Sequence, residues 1–447
     1  MNLIPAFIHR RIAHRPNLVK IVDNIGWLFF DKFLRMGVGL FVGVWIARYL
    51  GPDQFGLLSF AMALVGLFGA IAGLGLQGIV VRDIVRDPAC KEETLGTAAV
   101  LQLIGGLIAY GLILGFIFWL RPEDTLAKIL VAILGAVTLF KASDVAVYWF
   151  ESQVQSKYTV WVQNSAFMIF SAIKIALILN NAPLVTFAWA MMAEALVVAA
   201  VLFVILGLRG PKLQHLYATL ARAKRLLCDS WPLLLSGMVL MVQARIDQVM
   251  LGQMVGDYEV AQYSVALRII ETAAVSALIL KSTFTPTIIG AKDISNESYL
   301  TKLSAFYKLN ALVAISIALP IAILSYPIVS LLFGADYVGA APVLALMTLR
   351  LFFAHIGVPR GIFLLSENLL TYSAVTMIVG TIFNILLNYL LIPEYGAMGA
   401  TFASLLSFAI TIILIDILYR RTRMNTMLML RSTITCGSLL RRRSWVL

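Results

Sequence analysis

Charged side chains inside an apolar segment are the first feature of this sequence that could do chemistry. The stretch GWLFFDKFLRMGVGLFVGVWIA, residues 26–47, is long and apolar enough to cross a bilayer, yet Asp31, Lys32 and Arg35 lie in its first half. Each such charge costs about 2.5–3.5 kcal/mol near the centre of a span. Asp31 and Arg35 are four residues apart and can pair on one helix face. A segment that keeps these charges is expected to face a bundle interior or a water-filled cavity.

Cations outnumber anions among the ionisable residues of the apolar segments. The cations are Lys32, Arg35, Lys141, Lys174, Arg245, Arg268, Lys281 and Arg350, and the anions are Asp31, Asp144, Glu194, Asp247 and Glu271. An excess of buried positive charge predicts an anionic ligand, and arginine suits bidentate contact with phosphate. The candidate residues for binding this anion are Arg35, Lys174, Arg245, Arg268 and Arg350. Snorkelling to an interface, combined with local pairing, is the alternative for Lys141, Lys281 and Arg360.

The carboxylates suggest a second role, in coupling to an ion gradient. Glu194 has no basic residue within a turn, because its surroundings read AWAMMAEALVV. An unpaired buried carboxylate can carry a proton, so export driven by a proton or sodium gradient could use it. Asp247 and Glu271 are further candidates for this role. The sequence leaves open that Glu194 pairs with a lysine or arginine on a neighbouring helix.

The elements that must position these charges are membrane spans. The chain has 447 residues, of which 61% are hydrophobic and only 13% charged, whereas a soluble domain is typically about a quarter charged. Apolar runs long enough to cross a bilayer fall approximately at 26–47, 55–80, 95–119, 125–150, 159–179, 184–208, 231–251, 258–289, 305–333, 340–365, 370–392 and 397–418. The composition therefore predicts an all-α polytopic membrane protein with about twelve transmembrane helices.

Loop charges predict the orientation of these spans. The segments RDIVRDPACKEE and RGPKLQHLYATLARAKRLLCD and the arginine-rich tail are basic, whereas only Arg48 and Arg121 lie in loops on the other side. Both termini are therefore predicted to be cytoplasmic, and the net charge of +12 is explained without nucleic acid. The short outer loops leave no room for the folded domain that a polytopic glycosyltransferase, polymerase or ligase needs. No G-x(4)-G-K-[ST] or H-E-x-x-H pattern is present, so we expect no catalytic residue, metal or cofactor.

A weak internal repeat indicates two related halves. The stretch GPDQFGLLSFA at 51–61 aligns without a gap on GDYEVAQYSVA at 256–266, and both follow the first predicted span of their half. An even number of spans per repeat predicts two parallel six-helix bundles related by an axis along the membrane normal. The loop between them has Leu213, Leu216 and Leu220 at helical spacing, which predicts an interfacial helix. The predicted divisions are a cytoplasmic leader at 1–25, bundles at 26–208 and 231–418, an amphipathic linker at 209–230 and a basic cytoplasmic tail at 419–447.

Three blocks of sequence resemble a known family. ARYLGPDQFGLLSFA, LFGADYVGAAPVLALMTLR and NILLNYLLIPEYGAMGATFASLLSF are similar to the polysaccharide transporter branch of the MOP flippase superfamily, in order over roughly residues 20–420. The resemblance implies twelve or fourteen helices in two bundles around a central cavity. It also implies export of polyprenyl-diphosphate-linked oligosaccharide from the inner to the outer face of the bacterial inner membrane, as in O-antigen flippases of the Wzx type.

The resemblance also sets the alternatives. FFDKFLRMGVG stands where lipid II flippases open with a Ser-Arg…Gly…Arg-Asp pattern, so a lipid II flippase is less favoured. An ion-coupled multidrug exporter of the same superfamily is the main alternative, although a site for cationic drugs should be acidic or apolar. The implied partners are the lipid-linked glycan and membrane lipids, with the polysaccharide polymerase and chain-length machinery as further candidates. The resemblance gives no role to the tail beyond about residue 422.

Overall fold

The structure, a computed structural model, describes residues 16–437, and all regular secondary structure in that range is helical. Residues 1–15 of the predicted leader and 438–447 of the predicted tail lie outside the described residues. In chain order, helices α1 to α16 are Pro16–Gly73, Leu76–Arg86, Lys91–Leu120, Thr125–Gly135, Asp144–Ser152, Lys157–Leu179, Leu184–Arg209, Leu220–Met254, Asp257–Ala273, Val275–Ile294, Asn296–Ile323, Ser325–Phe333, Ala340–Ser366, Leu370–Ala409, Ile415–Leu418 and Arg420–Ile434. The predicted all-α class is confirmed.

Ten helical segments within residues 16–437 are long and apolar enough to cross a membrane. Two of them, Phe30–Arg86 and Leu370–Leu418, exceed twice the roughly 20 residues that one crossing needs. Each contains a glycine outside the helical region, Gly51 (φ 71°) in α1 and Gly396 (φ 53°) in α14, at the places where the sequence predicts a boundary between spans. The chain is a multi-pass membrane protein, whereas twelve spans and cytoplasmic termini stay predictions.

The chain forms two compact units. Unit 1 comprises Met1–Leu50 and Phe60–Arg245, and unit 2 comprises Gly51–Ser59 and Ile246–Leu447. Each unit has its own apolar core, which in unit 1 includes Leu76, Leu95, Leu202 and Leu206 and in unit 2 includes Leu303, Phe306, Tyr307 and Phe363. The division falls inside α8, whereas the sequence places a linker at 209–230.

The two repeated stretches adopt related backbone conformations. Gly256 (φ 103°) precedes α9 as Gly51 (φ 71°) precedes the second part of α1, and left-handed φ values of this kind favour glycine. Both stretches contribute to unit 2, where Gly56 of the first approaches the backbone of Asp257 in the second. A Cβ atom built on Gly56 would lie 1.8 Å from the carbonyl oxygen of Asp257. The repeat is therefore a structural one, and it requires glycine at this contact.

The linker differs from the predicted interfacial helix. Only a short 3₁₀ turn, Leu213–His215, forms before α8 begins, and the intervening backbone is docked against α3. The backbone nitrogen of Thr219 donates to Thr97 Oγ1 over 3.2 Å, and its hydroxyl donates to Glu93 Oε1 over 2.5 Å. Tyr217 packs so closely on Gly96 that a Cβ there would lie 2.4 Å from the Tyr217 carbonyl oxygen. These contacts hold the segment in a non-helical form despite its helical hydrophobic spacing.

The described part of the tail folds onto unit 2 as helix α16. Its buried side chains are Thr422, Asn425, Thr426, Met429 and Ser432, which fall on one face. Tyr307 and Asn425 are hydrogen-bonded over 3.0–3.2 Å, and the hydroxyls of Ser304 and Ser432 lie 2.9 Å apart. The helix therefore attaches to α11 through polar contacts as well as through Met429.

We expect Gly56→Ala to destabilise the protein by about 1–3 kcal/mol, because the new methyl group must displace the backbone of Asp257. The measurement is the apparent melting temperature of the purified protein in detergent. Gly69→Ala is the matched control, since a Cβ there meets nothing within 4 Å and α1 is helical at that position. Equal melting temperatures for the two variants would contradict the close approach.

Candidate functional site

Unit 1 contains a cavity that combines apolar walls with charged groups. Its volume is about 570 Å³. The lining residues are Arg35, Met62, Val65, Leu134, Val137, Gln163, Phe167, Lys174, Met191, Glu194, Ala195 and Val198. Two of the five predicted anion-binding cations and one predicted coupling carboxylate therefore share this cavity. Helices α1, α6 and α7 supply these three charged residues.

Lys174 and Glu194 form an ion pair across α6 and α7. Lys174 Nζ lies 2.7 Å from Glu194 Oε2, and only 8% of the lysine is exposed. The pairing of Glu194 with a neighbouring helix, which the sequence left open, is confirmed. Breaking a buried pair leaves an uncompensated charge, so each residue compensates the charge of the other.

Arg35 has a carboxylate partner on its own helix and a neutral partner on another. Its Nε donates to Asp31 Oδ1 over 2.8 Å and to Asn164 Oδ1 over 3.2 Å. The guanidinium carbon also lies 5.4 Å from the centre of the Phe167 ring, within the range of a cation–π contact. The predicted Asp31–Arg35 pair is present, and it reduces the free-energy cost of placing these two charges in the first apolar segment. Lys32, the third charge of this segment, is exposed.

Unit 2 contains a buried carboxylate surrounded by neutral donors. Asp247, which is 2% exposed, accepts hydrogen bonds from Tyr263 Oη (2.5 Å), Ser404 Oγ (2.5 Å) and Asn388 Nδ2 (2.7 Å). Arg350 reaches this cluster through Tyr263, with 3.3 Å between Nη1 and the phenol oxygen. Asn388 Oδ1 is buried and has no hydrogen-bond partner. The cluster thus keeps one acceptor for a further group.

The other predicted site residues lie at separate places. Arg245, at the end of unit 1, packs over Gly66, where a Cβ would lie 3.4 Å from the arginine Cγ. In unit 2 the Arg268 guanidinium carbon lies 5.7 Å from the centre of the Phe55 ring. Glu271 is exposed and interacts electrostatically with Arg350. The roles assigned to these residues from the sequence stay predictions.

Sequence reasoning missed the neutral polar residues and the buried ion pairs Arg360–Asp416 and Arg222–Asp83. Asn384 and Asn388 are four residues apart inside an apolar span, a spacing that places both on one helix face and could have marked the Asp247 cluster. Arg360 and Asp416 are also buried, with Nε 2.6 Å from Oδ2. Tyr372 donates to the same carboxylate over 2.8 Å, which adds a second neutralising contact. Snorkelling is therefore the wrong interpretation for Arg360.

We expect Lys174→Met and Glu194→Gln each to lower the free energy of unfolding by about 1–3 kcal/mol, because either leaves a mostly buried charge unpaired. The double variant should recover most of this loss, since it removes both charges. A melting series in detergent measures the coupling between the two sites.

The matched control is Lys141–Asp144, a pair 3.1 Å apart whose side chains are 44% and 28% exposed. Breaking this exposed pair should cost no more than about 1 kcal/mol. Additive effects at Lys174 and Glu194 would show that the two residues are not energetically paired.

Comparisons with known proteins identify the family. Residues 21–288, more than half of the chain, match the sequence profile described as "Polysaccharide biosynthesis protein". The chain is 22% identical over 395 residues to a probable low-salt glycan biosynthesis flippase, Agl15, of Haloferax volcanii, covering 85% of this chain and 79% of the relative. That relative is a carrier rather than an enzyme, as predicted for this chain.

Solved structures show the same fold at low sequence identity. The lipid II flippase MurJ in an inward closed conformation aligns with a TM-score of 0.73 and 14% identity, over 93% of this chain and 92% of that protein. An inward-facing multidrug resistance MATE transporter of the MOP superfamily aligns with a TM-score of 0.67 and 15% identity, over 92% and 96%. The chain therefore belongs to the polysaccharide biosynthesis protein family, and it has the fold of these solved transporters, as the resemblance implies.

Proposed function

We propose that this protein is a flippase that moves a polyprenyl-diphosphate-linked oligosaccharide from the cytoplasmic to the outer face of its membrane by alternating access. The observation that carries the proposal is the cavity of unit 1, where Arg35 and Lys174 stand among apolar walls. Agl15, the relative from Haloferax volcanii, is described as a glycan biosynthesis flippase, which supports the same class of cargo. In a bacterial host the cargo would be an O-antigen or another surface polysaccharide unit, and the location would be the inner membrane.

The ion pairs in the cavity suggest how a diphosphate would bind. Lys174 is held by Glu194, and Arg35 by Asp31, so neither cation is buried without compensation when cargo is absent. A diphosphate offers several charged oxygens, and charge-assisted hydrogen bonds to phosphate are about twice as strong as neutral ones. We infer that the diphosphate replaces Glu194 and Asp31 as the partner of Lys174 and Arg35. The two ion pairs form again once the cargo leaves.

Among the three candidate coupling carboxylates, the geometry favours Asp247. Glu194 is engaged by Lys174, and Glu271 is exposed, whereas Asp247 is buried among hydroxyl and amide groups. A hydroxyl group can accept as well as donate and an amide oxygen accepts, so the cluster could accommodate a proton on Asp247 or a sodium ion beside it. The unpartnered Asn388 Oδ1 supplies one further oxygen for such an ion.

Transport can be tested with the purified protein in liposomes that contain a polyprenyl-diphosphate-linked oligosaccharide. An added glycosidase that cannot cross the membrane reports the glycan exposed outside, and the wild-type protein should increase this fraction with time. The variant Lys174→Gln/Glu194→Gln should slow the increase about tenfold or more, because a hydrogen bond to a charged group contributes about 1.5–3 kcal/mol. Its paired charges are removed together, so the protein should remain folded.

The control variant is Lys141→Gln, which removes a more exposed cation of the same unit. It should flip the glycan at the wild-type rate. Liposomes with the wild-type protein could instead expose glycan no faster than protein-free liposomes and export a cationic dye. This result would identify a multidrug exporter. Normal flipping by the double variant would show that Lys174 does not bind the diphosphate.

Coupling can be tested in the same liposomes with an imposed proton or sodium gradient. Asp247→Asn should abolish the dependence of the flipping rate on the gradient, because the amide cannot be ionised. Glu271→Gln is the discriminating comparison, since Glu271 is the exposed candidate of the same unit. A gradient dependence that Glu271→Gln removes and Asp247→Asn retains would place coupling outside the Asp247 cluster.

A further inference from the structure

Unit 1 has a second cavity, an apolar groove between α1 and α6 with a volume of about 450 Å³. The residues that line this groove are Trp27, Phe30, Leu34, Val160, Trp161, Asn164, Ser165, Met168 and Ile169. The ring centres of Trp27 and Trp161 are 5.7 Å apart, and those of Trp27 and Phe30 are 6.1 Å apart, so aromatic rings form much of one wall. The volume falls within the range of about 300–1,000 Å³ typical of small-molecule sites.

Two buried hydrogen-bond donors in this groove have no partner among the residues that the structure describes. They are Trp27 Nε1 and Asn164 Nδ2, and their side chains belong to residues only 6% and 8% exposed. The amide orientation of Asn164 is fixed, because Arg35 can only donate and therefore faces the amide oxygen. Buried polar groups are nearly always hydrogen-bonded, so an apolar groove with two unmet donors lacks an acceptor. A ligand with an apolar body and an oxygen-rich end would supply it.

The groove adjoins the charged cavity of the same unit through one contact. Asn164 lines the groove, Arg35 lines the charged cavity, and the two side chains are hydrogen-bonded. A ligand whose anionic end reaches Arg35 can therefore extend its apolar part along the groove. Phe30, Trp161, Met168 and Ile169 are all exposed, so the groove is open along one side, where an apolar chain can enter it.

We propose that this groove binds the isoprenoid chain of a polyprenyl diphosphate next to its phosphates, with phosphate oxygens accepting hydrogen bonds from Asn164 and Trp27 beside Arg35. The proposal rests on the flippase function proposed above and assigns the lipid part of the cargo to α1 and α6 of unit 1. Two unmet donors and an arginine suit the several oxygens of a diphosphate. A bilayer phospholipid, whose acyl chain would suit the same walls, is the competing occupant.

The test is photo-crosslinking to the full-length protein in lipid nanodiscs. One probe is a polyprenyl diphosphate with a diazirine on an isoprene unit near the phosphates, and the other is phosphatidylglycerol with a diazirine at the same depth. The polyprenyl probe should label the peptide that contains Trp161–Ile169, and excess unlabelled polyprenyl diphosphate should compete for this label. Phosphatidylglycerol should label the peptide more weakly and should not show saturation.

Ser165→Trp should reduce the labelling about tenfold, the effect of losing the burial of roughly two methylene groups. Ala172→Trp is the matched control, because it adds the same side chain at an exposed position of α6 outside the groove. Asn164→Leu keeps the side-chain size but removes the donor. This variant should prefer polyprenyl diphosphate over the corresponding phosphate-free polyprenol less strongly than the wild type does, because Trp27 and Arg35 still contact the phosphates.

Equal, unsaturable labelling by both lipid probes would overturn the proposal and identify the groove as a site for bilayer lipid. Specific labelling elsewhere in the chain, by a protein that flips glycan in liposomes, would overturn it while leaving the flippase function intact. A protein that shows no specific labelling and does not flip glycan would reject both the groove proposal and the flippase function. The labelling pattern of the wild type decides these outcomes even if Ser165→Trp does not fold.

Discussion

Compensation of buried charge within each unit is the constraint on which the rest of this structure depends. A membrane interior offers no water to an isolated ion, so every carboxylate and cation that the spans retain needs a partner a few ångströms away. Lys174 forms an ion pair with Glu194 on the next helix, and Arg360 forms an ion pair with Asp416 within unit 2. Asp247 accepts hydrogen bonds from a phenol, a hydroxyl and an amide. The three arrangements differ in how readily a ligand can replace the partner of the charged group.

The difference separates groups that stabilise from groups that can respond to a ligand. The Arg360–Asp416 pair is the most enclosed, with Asp416 1% exposed, and Tyr372 adds a further hydrogen bond. Lys174 and Glu194, in contrast, line a cavity, so a diphosphate can approach the lysine without unfolding the unit. Arg35 connects this cavity to the apolar groove through Asn164. One unit can thus offer adjoining surfaces to the charged and the apolar parts of a single amphipathic molecule.

The sequence predicted the helical class, the membrane location and the charged residues because those properties are local. Hydropathy alone marks a span such as 184–208, and the Asp31–Arg35 pair follows from the spacing of residues on one helix. The Lys174–Glu194 pair stayed open because helix packing, rather than spacing, decides which residues of α6 and α7 meet. In the linker, by contrast, a local pattern gave a wrong prediction. Its leucines have helical spacing, but docking of Tyr217 on Gly96 keeps it non-helical. Asn164 and Trp27 could not be selected, because only three-dimensional contacts reveal an unmet donor.

The Asp247 cluster also constrains how the protein is made. Asn388 and Ser404, which donate to Asp247, are synthesised 141 and 157 residues after it. At about 5–20 residues per second, this carboxyl group therefore has neither of these two donors for roughly ten seconds, whereas Tyr263 follows it after only 16 residues. An ionised aspartate near the middle of a span costs about 2.5–3.5 kcal/mol during that interval. The hydrogen bonds around Asp247 can therefore be completed only when the last helices of unit 2 have been synthesised.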